Sequence, residues 1–297
     1  MPVPGAHAVW LTARDGVRLR AGVWPEGGAG TVFLFPGRTE WVEKYSDAAS
    51  HLGRHGFACL ALDWRGQGLT ERPRHDRRVG HVGDFAEYQH DVAAALSHAQ
   101  AAGLPRPWHV LGHSMGGAIA LRSLIDGAPF ARAAFSAPMW GLPLVPHLRV
   151  AAWTMSHLGT ALGLGERLTP AANKVADPAN APFEGNLLTR DPGMFAWMQG
   201  HLRAEPDLAL GGPSLGWLRA ALAEMHALAR MGAPAQPCLT ILGTDEGIVN
   251  PDAIHVRLAS WDGAALHVVK GGRHEPLMEG EAVRGPIYDR IAADLLA

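Results

Sequence analysis

The stretch WHVLGHSMGGAIALRSLI, residues 108–125, decides the fold. An apolar run, Trp108–Gly112, reads as a buried strand, and Met115–Asp126, rich in Ala, Ile and Leu, reads as a helix. Between them Gly112-His113-Ser114-Met115-Gly116 matches G-x-S-x-G. At a sharp strand-to-helix turn this spacing holds a serine hydroxyl exposed, because the flanking glycines let the backbone pass where a side chain would collide. Ser114 is therefore the candidate nucleophile.

Outward from this turn, short apolar runs alternate with helix-length segments, the pattern of a mostly parallel sheet with helices on both faces. Strands are expected at Val17–Trp24, Thr31–Phe35, Phe57–Asp63, Ala131–Ser136, Cys238–Leu242 and Leu266–Val269. Helices are expected at Glu43–His55, Asp84–Ala102 with Asp84 as N-cap and Gly103 as C-cap, near Asp252–Ser260, and after Glu275. From Trp140 to Gly232 the rhythm changes to helical patches broken by prolines. Residues 140–232 thus read as a helical cap inserted into a core of residues 1–139 and 233–297.

A serine hydroxyl needs an adjacent base. With the order serine, acid, histidine, the base lies downstream, and Gly271-Gly272-Arg273-His274-Glu275 supplies it on a glycine-containing loop after a strand. The acid belongs after the preceding strand, in Gly243-Thr244-Asp245-Glu246-Gly247, where spacing leaves Asp245 and Glu246 in competition. The oxyanion needs two backbone donors, expected from Met115 N–H and from Arg38 N–H in the turn after the Phe33–Phe35 run. The Arg38 side chain is expected to pair with Glu40 or to line the pocket. His51 and His55 have i, i+4 spacing but no third ligand or H-E-x-x-H, so no metal is expected.

Composition narrows the function further. The 297 residues are 47% hydrophobic, enough for a large core, and the formal net charge of −2 gives no field to attract nucleic acid. Arg72, Arg74, Arg77 and Arg78 read as a solvated loop, with an anionic head group as the alternative. Cys59 and Cys238 lie in strand-like runs and read as buried thiols. No secretory signal or membrane-spanning run is visible, so a cytoplasmic protein with possible peripheral membrane contact is expected. No G-x-G-x-x-G follows a strand, which disfavours a dinucleotide role.

The chain resembles the α/β-hydrolases of the monoacylglycerol lipase and bacterial lysophospholipase group across nearly its whole length. Four stretches carry the likeness: Pro36-Gly37-Arg38-Thr39-Glu40 with Lys44-Tyr45; Asp63-Trp64-Arg65-Gly66-Gln67-Gly68; Gly112–Gly117; and Gly271–Glu275. Pro36 stands where such enzymes usually have His, a variant similar to the lysophospholipase branch. The resemblance places the acid third after the strand-terminal glycine, which is Glu246. It implies an α/β-hydrolase fold, no cofactor, and hydrolysis of a single-chain lipid ester through an acyl-enzyme on Ser114. A small aryl ester, a lactone or a peptide with a free N-terminus is the second reading. A non-enzymatic binding module is disfavoured, because Ser114, His274 and the glycine turn are all retained. Trp153, Trp197 and Trp217 are expected to build an acyl-binding wall in the cap.

Overall fold

A computed structural model describes residues 5–72, 76–170 and 177–297. Eight strands form one sheet: β1 (His7–Thr12), β2 (Arg18–Trp24), β3 (Gly30–Phe35), β4 (Phe57–Asp63), β5 (Trp108–His113), β6 (Arg132–Ser136), β7 (Cys238–Gly243) and β8 (Ala264–Val269). Their spatial order is β1-β2-β4-β3-β5-β6-β7-β8. Only β2 runs against its neighbours; from β4 to β8 all pairings are parallel. Every residue of β3, β4, β5 and β7 is buried, as continuous apolar runs in a sheet covered on both faces require.

On one face α2 (Tyr88–Ala101) and α3 (Met115–Ile125) cover the sheet, contributing Tyr88, Val92, Ile119 and Leu121 to its core. On the other, α1 (Ser46–Arg54) and α8 (Glu281–Leu296) bury Leu52, Ile287, Tyr288 and Ile291. Register places Phe35 beside Gly112, His113 beside Ser136, and Gly243 beside Val269, so the loops leaving β3, β5, β7 and β8 share one sheet edge. In open parallel sheets that carboxyl edge is where ligands bind.

Three elements differ from the sequence reading. β1 was not read from the sequence: its run Ala8-Val9-Trp10-Leu11 does not alternate in polarity, although only Leu11 is buried and Val9 half-buried on the edge of the sheet. The segment expected as one helix from Glu43 begins as a tighter 3₁₀ turn, Val42–Tyr45, whose Lys44 and Tyr45 turn inward. Asp84 does cap, but the turn it caps is 3₁₀, Phe85–Glu87, leading into α2; its carboxylate accepts from Ala86 N–H while Glu87 accepts from Asp84 N–H. Both cysteines are buried and free, and burial pushes the Cys238 thiol up to about 12.

Between β6 and β7 the described residues hold three α-helices and no strand of the sheet: α4 (Pro146–Ala161), α5 (Pro192–Ala204) and α6 (Leu215–Leu228). Ser214 starts α6 by accepting Trp217 N–H. This helix is seated on the core: Ala221, Met225 and Leu228 join the sheet's cluster, and Arg122 of α3 grips Glu224 through two hydrogen bonds of 2.8 Å. A β-carbon on Gly159 would lie 2.7 Å from Leu215, a close approach that packs α4 on α6. α5 docks on the other side, where Trp41 Nε1–H donates to His201 and Phe195 and Met198 pack against Met278. A remaining helix, α7 (Pro251–Ala259), links β7 to β8.

Candidate active site

Ser114 sits between β5 and α3 with φ +48° and ψ −117°, a conformation strained for any residue with a β-carbon. Its neighbours explain how the turn tolerates this. A β-carbon on Gly116 would lie 2.0 Å from the Phe35 carbonyl oxygen, and one on Gly112 would lie 2.8 Å from that of Gly116. The glycines thus let α3 press its first turn against the end of β3. Ser114 N–H donates to Ser136 at 3.0 Å and its carbonyl accepts from Met139 at 2.8 Å, locking the turn from the β6 side.

The loops after β7 and β8 bring Glu246 to His274. Glu246 Oε2 meets His274 Nδ1 at 2.8 Å with both side chains buried. Glu246 Oε1 accepts the amides of Ile248 (2.6 Å) and Val249 (3.0 Å). Burial pushes the Glu246 carboxyl up, yet the imidazole and the two amides outweigh it and hold its pKa below the ordinary glutamate value. Asp245, the competing carboxylate, points outward, exposed and paired with Arg190. With Nδ1 turned to Glu246, Nε2 is the nitrogen available to the cavity that His274 and Ser114 both line. The imidazole also packs against His113, whose ring centroid is 4.9 Å away. Burial lowers the His113 pKa, and its Nδ1 lies 3.0 Å from the Ser136 carbonyl.

The turn after β3 is organised by buried charges. Glu40 accepts Gly37 N–H and the Tyr45 hydroxyl, and Lys44 Nζ–H donates to both Glu40 and Glu275. Burial acts to raise the Glu40 pKa, but Lys44 and then His113 overcome it and hold it near about 2. The Arg38 side chain therefore does not pair with Glu40. It lines the cavity beneath Trp217, with Cζ 5.0 Å from that ring's centroid. Met115 N–H belongs to the first turn of α3, where backbone donors have no intrahelical partner. Among the described residues one group of three potential metal ligands comes together, Glu40, His113 and Glu275, and the Lys44 ammonium already bonds both carboxylates.

The cavity over Ser114 has a volume of about 550 Å³. Its wall is largely apolar, with Leu142, Leu188, Phe195, Met198, Leu202 and Trp217 supplied by the segment between β6 and β7. Of the three tryptophans expected there, only Trp217 lines it. Trp153 stacks on His157 and faces His226 of α6, so it serves the α4–α6 contact. On α5 the cavity takes Phe195, Met198, Gln199 and Leu202, an i, i+3, i+4, i+7 stripe from which Trp197 is turned away against His201. That stripe was the available sequence signal, and it outranks side-chain size. The arginine cluster is also engaged: Arg72 donates to the carbonyls of Gly68 and Ala209, Arg77 pairs with Asp207 and Arg78 with Asp76, while Arg74 lies outside the described residues.

A family model described as "Serine aminopeptidase, S33" matches residues 28–281. The chain is 32% identical to lysophospholipase L2 of Escherichia coli (strain K12) over 271 residues, 85% of this chain and 76% of that protein. It is 28% identical to the probable lysophospholipase L2 of Haemophilus influenzae over 262 residues, 88% of this chain and 82% of that one. Among solved structures, a soluble variant of monoglyceride lipase from Saccharomyces cerevisiae, in complex with a substrate analog, matches with a TM-score of 0.73 at 20% identity, covering 99% of this chain and 96% of that chain. At that identity the match speaks for the fold.

Proposed function

Because this chain belongs to the α/β-hydrolase family described as serine aminopeptidase, S33, in its monoacylglycerol lipase and lysophospholipase group, we propose that it hydrolyses the carboxylic ester of single-chain lipids through an acyl-enzyme on Ser114. The observation that carries the proposal is the Glu246–His274 pair opening, with Ser114, onto the floor of an apolar cavity of about 550 Å³. His274 Nε2 takes the Ser114 proton as Oγ attacks the ester carbonyl, and Glu246 stabilises the imidazolium. Arg38 and Met115 N–H groups hold the oxyanion. The imidazolium then protonates the departing alcohol, and water, deprotonated by the same nitrogen, releases the fatty acid.

Residues 140–232 act as the cap whose apolar wall takes the acyl chain. Each methylene buried there is worth ~0.8 kcal/mol. α4 turns Leu148, Met155 and Leu158 to solvent, with Val145 and Leu162 exposed at its two ends, apolar surface that suits shallow contact with a lipid surface. No helix among the described residues is long and apolar enough to cross a membrane.

The family description names an aminopeptidase, and that alternative makes a physical demand. A substrate's free α-ammonium requires an available carboxylate in the cavity. Among the described residues the cavity's carboxylates are Glu40 and Glu275, and Lys44 bonds both. The lipid ester is therefore favoured. A fluorophosphonate probe should label wild type and not Ser114→Ala, and fatty acid release from monoacylglycerol or lysophospholipid should disappear with the label. Labelling that survives the substitution refutes the assignment.

A further inference from the structure

Arg38 presents an unsolved charge. Its Nε and Nη2 are sealed from water and have no hydrogen-bond partner. The nearby carboxylates are taken, Glu40 and Glu275 by Lys44, and the guanidinium lies against the Trp217 face, with Cζ 5.0 Å from the ring centroid. A buried guanidinium donor left without a partner loses the hydrogen bond it makes to water in the unfolded chain and gains nothing in return. Burial accordingly pushes its pKa down to about 10, which leaves it cationic at neutral pH. Arg38 lines the same cavity as the apolar stripe of α5.

We infer that the Arg38 guanidinium is the anion anchor of the substrate site, receiving the phosphodiester of a lysophospholipid while the cap wall takes its acyl chain. The inference rests on the lipid-ester reading above and narrows it from single-chain lipids in general to those with a phosphodiester. Three features of the geometry support it. The planar fork matches two phosphate oxygens, and a rotation of the side chain into the cavity that the residue lines would bring its two unpartnered donors to a ligand. Arg38 belongs to the oxyanion turn, so an anion on its side chain sits within one residue of the ester that its own N–H would polarise. Among the described residues the other lysine or arginine lining the cavity is Lys44, which is committed to two carboxylates. Arg38 thereby acts on specificity, through its side chain, and on the reaction, through its backbone.

The test compares two substrates with one acyl chain, 1-decanoyl-glycerophosphoethanolamine and 1-decanoyl-glycerol, on wild type, Arg38→Met and Arg38→Lys. The quantity read is the ratio of kcat/KM for the phospholipid to that for the neutral lipid, which cancels any effect on the shared chemistry. The expected result is at least a tenfold fall of this ratio in Arg38→Met and partial recovery in Arg38→Lys, because an ammonium keeps the charge and loses the fork. An unchanged ratio, with both substrates slowed alike, overturns the inference and leaves the lipid esterase intact. A wild type that cleaves neither lipid, yet cleaves a short aryl ester, instead overturns the lipid reading. Should Arg38→Met fail to fold, wild-type inhibition decides. The ether analogue 1-decyl-glycerophosphoethanolamine should compete with an aryl ester at least tenfold more tightly than 1-decylglycerol, and equal competition refutes the anchor.

Discussion

Replacing Glu246 with Gln removes one charge and changes almost no volume, so its effect isolates what the carboxylate does to His274. Oε1 accepts two backbone amides, Ile248 at 2.6 Å and Val249 at 3.0 Å, while Oε2 meets Nδ1 at 2.8 Å. A glutamine amide has one oxygen and must choose. With its oxygen toward the two amides, its NH₂ faces Nδ1, which must then be the unprotonated nitrogen. Nε2 carries the proton and cannot accept one from Ser114, and a wrong tautomer of this kind costs about 10⁴ in kcat in a well-studied triad. With the amide flipped, the tautomer is right but two buried N–H groups face an NH₂. At about 1–3 kcal/mol for each unmet donor this costs roughly 2–6 kcal/mol, or roughly 30-fold to 20,000-fold in population of the competent state. The two routes together predict a fall of kcat by about 30-fold to 10⁴-fold, measured with a soluble aryl ester at saturation, with KM changed little. Asp245→Asn, which touches only an exposed pair with Arg190, should stay within about threefold. A Glu246→Gln enzyme within threefold of wild type, or a larger loss from Asp245→Asn, would refute the reasoning and move the acid.

Trp217→Ala should flatten the rise of kcat/KM with ester chain length, about fourfold per methylene in wild type while the wall is filling. Trp153→Ala and Trp197→Ala should lower Tm and leave that profile in place, and a shift caused by either one would return it to the acyl wall. Gly116→Ala puts a β-carbon 2.0 Å from the Phe35 oxygen, so it should destabilise by about 1–3 kcal/mol in denaturant unfolding and abolish probe labelling; wild-type labelling would refute the close-approach argument. For pH, the folded-state pKa of Glu246 lies below its unfolded value, so the unfolded chain binds more protons there. This group's stabilisation is then present above the ordinary glutamate value and lost as pH falls through the lowered one. Tm should accordingly drop more steeply with acid in wild type than in Glu246→Gln, and parallel curves would deny Glu246 that role.

The core strands were legible because burial on both faces leaves no room for polar alternation, as in Phe57–Asp63, where sequence and structure agree to the residue. β1 was not, since its apolar run Ala8–Leu11 lacks the alternation of a half-buried strand and its place is set by pairing with β2. At the site, one-dimensional spacing could bring Asp245 and Glu246 no further than competition. What separates them is direction: the loop aims Glu246 at the imidazole and Asp245 at Arg190. The tryptophans misled for a related reason. Side-chain size says what must be buried, and helical phase says against what; Trp197 lies off the α5 stripe that Phe195 and Met198 define.

The order of strands in space has a consequence for how the protein comes into being on the ribosome. β1 to β6 form a contiguous block, and Ser114 lies inside it, so the strained turn and the loop after β3 can be in place while the later chain is still being made. β7 and β8 add afterwards at the open edge beside β6, carrying Glu246 and His274 on the loops that follow them. On the mechanism proposed above, a nascent chain would hold Ser114 without His274, and the pair would be completed only when those two strands dock, by which time the helices between β6 and β7 have already been synthesised.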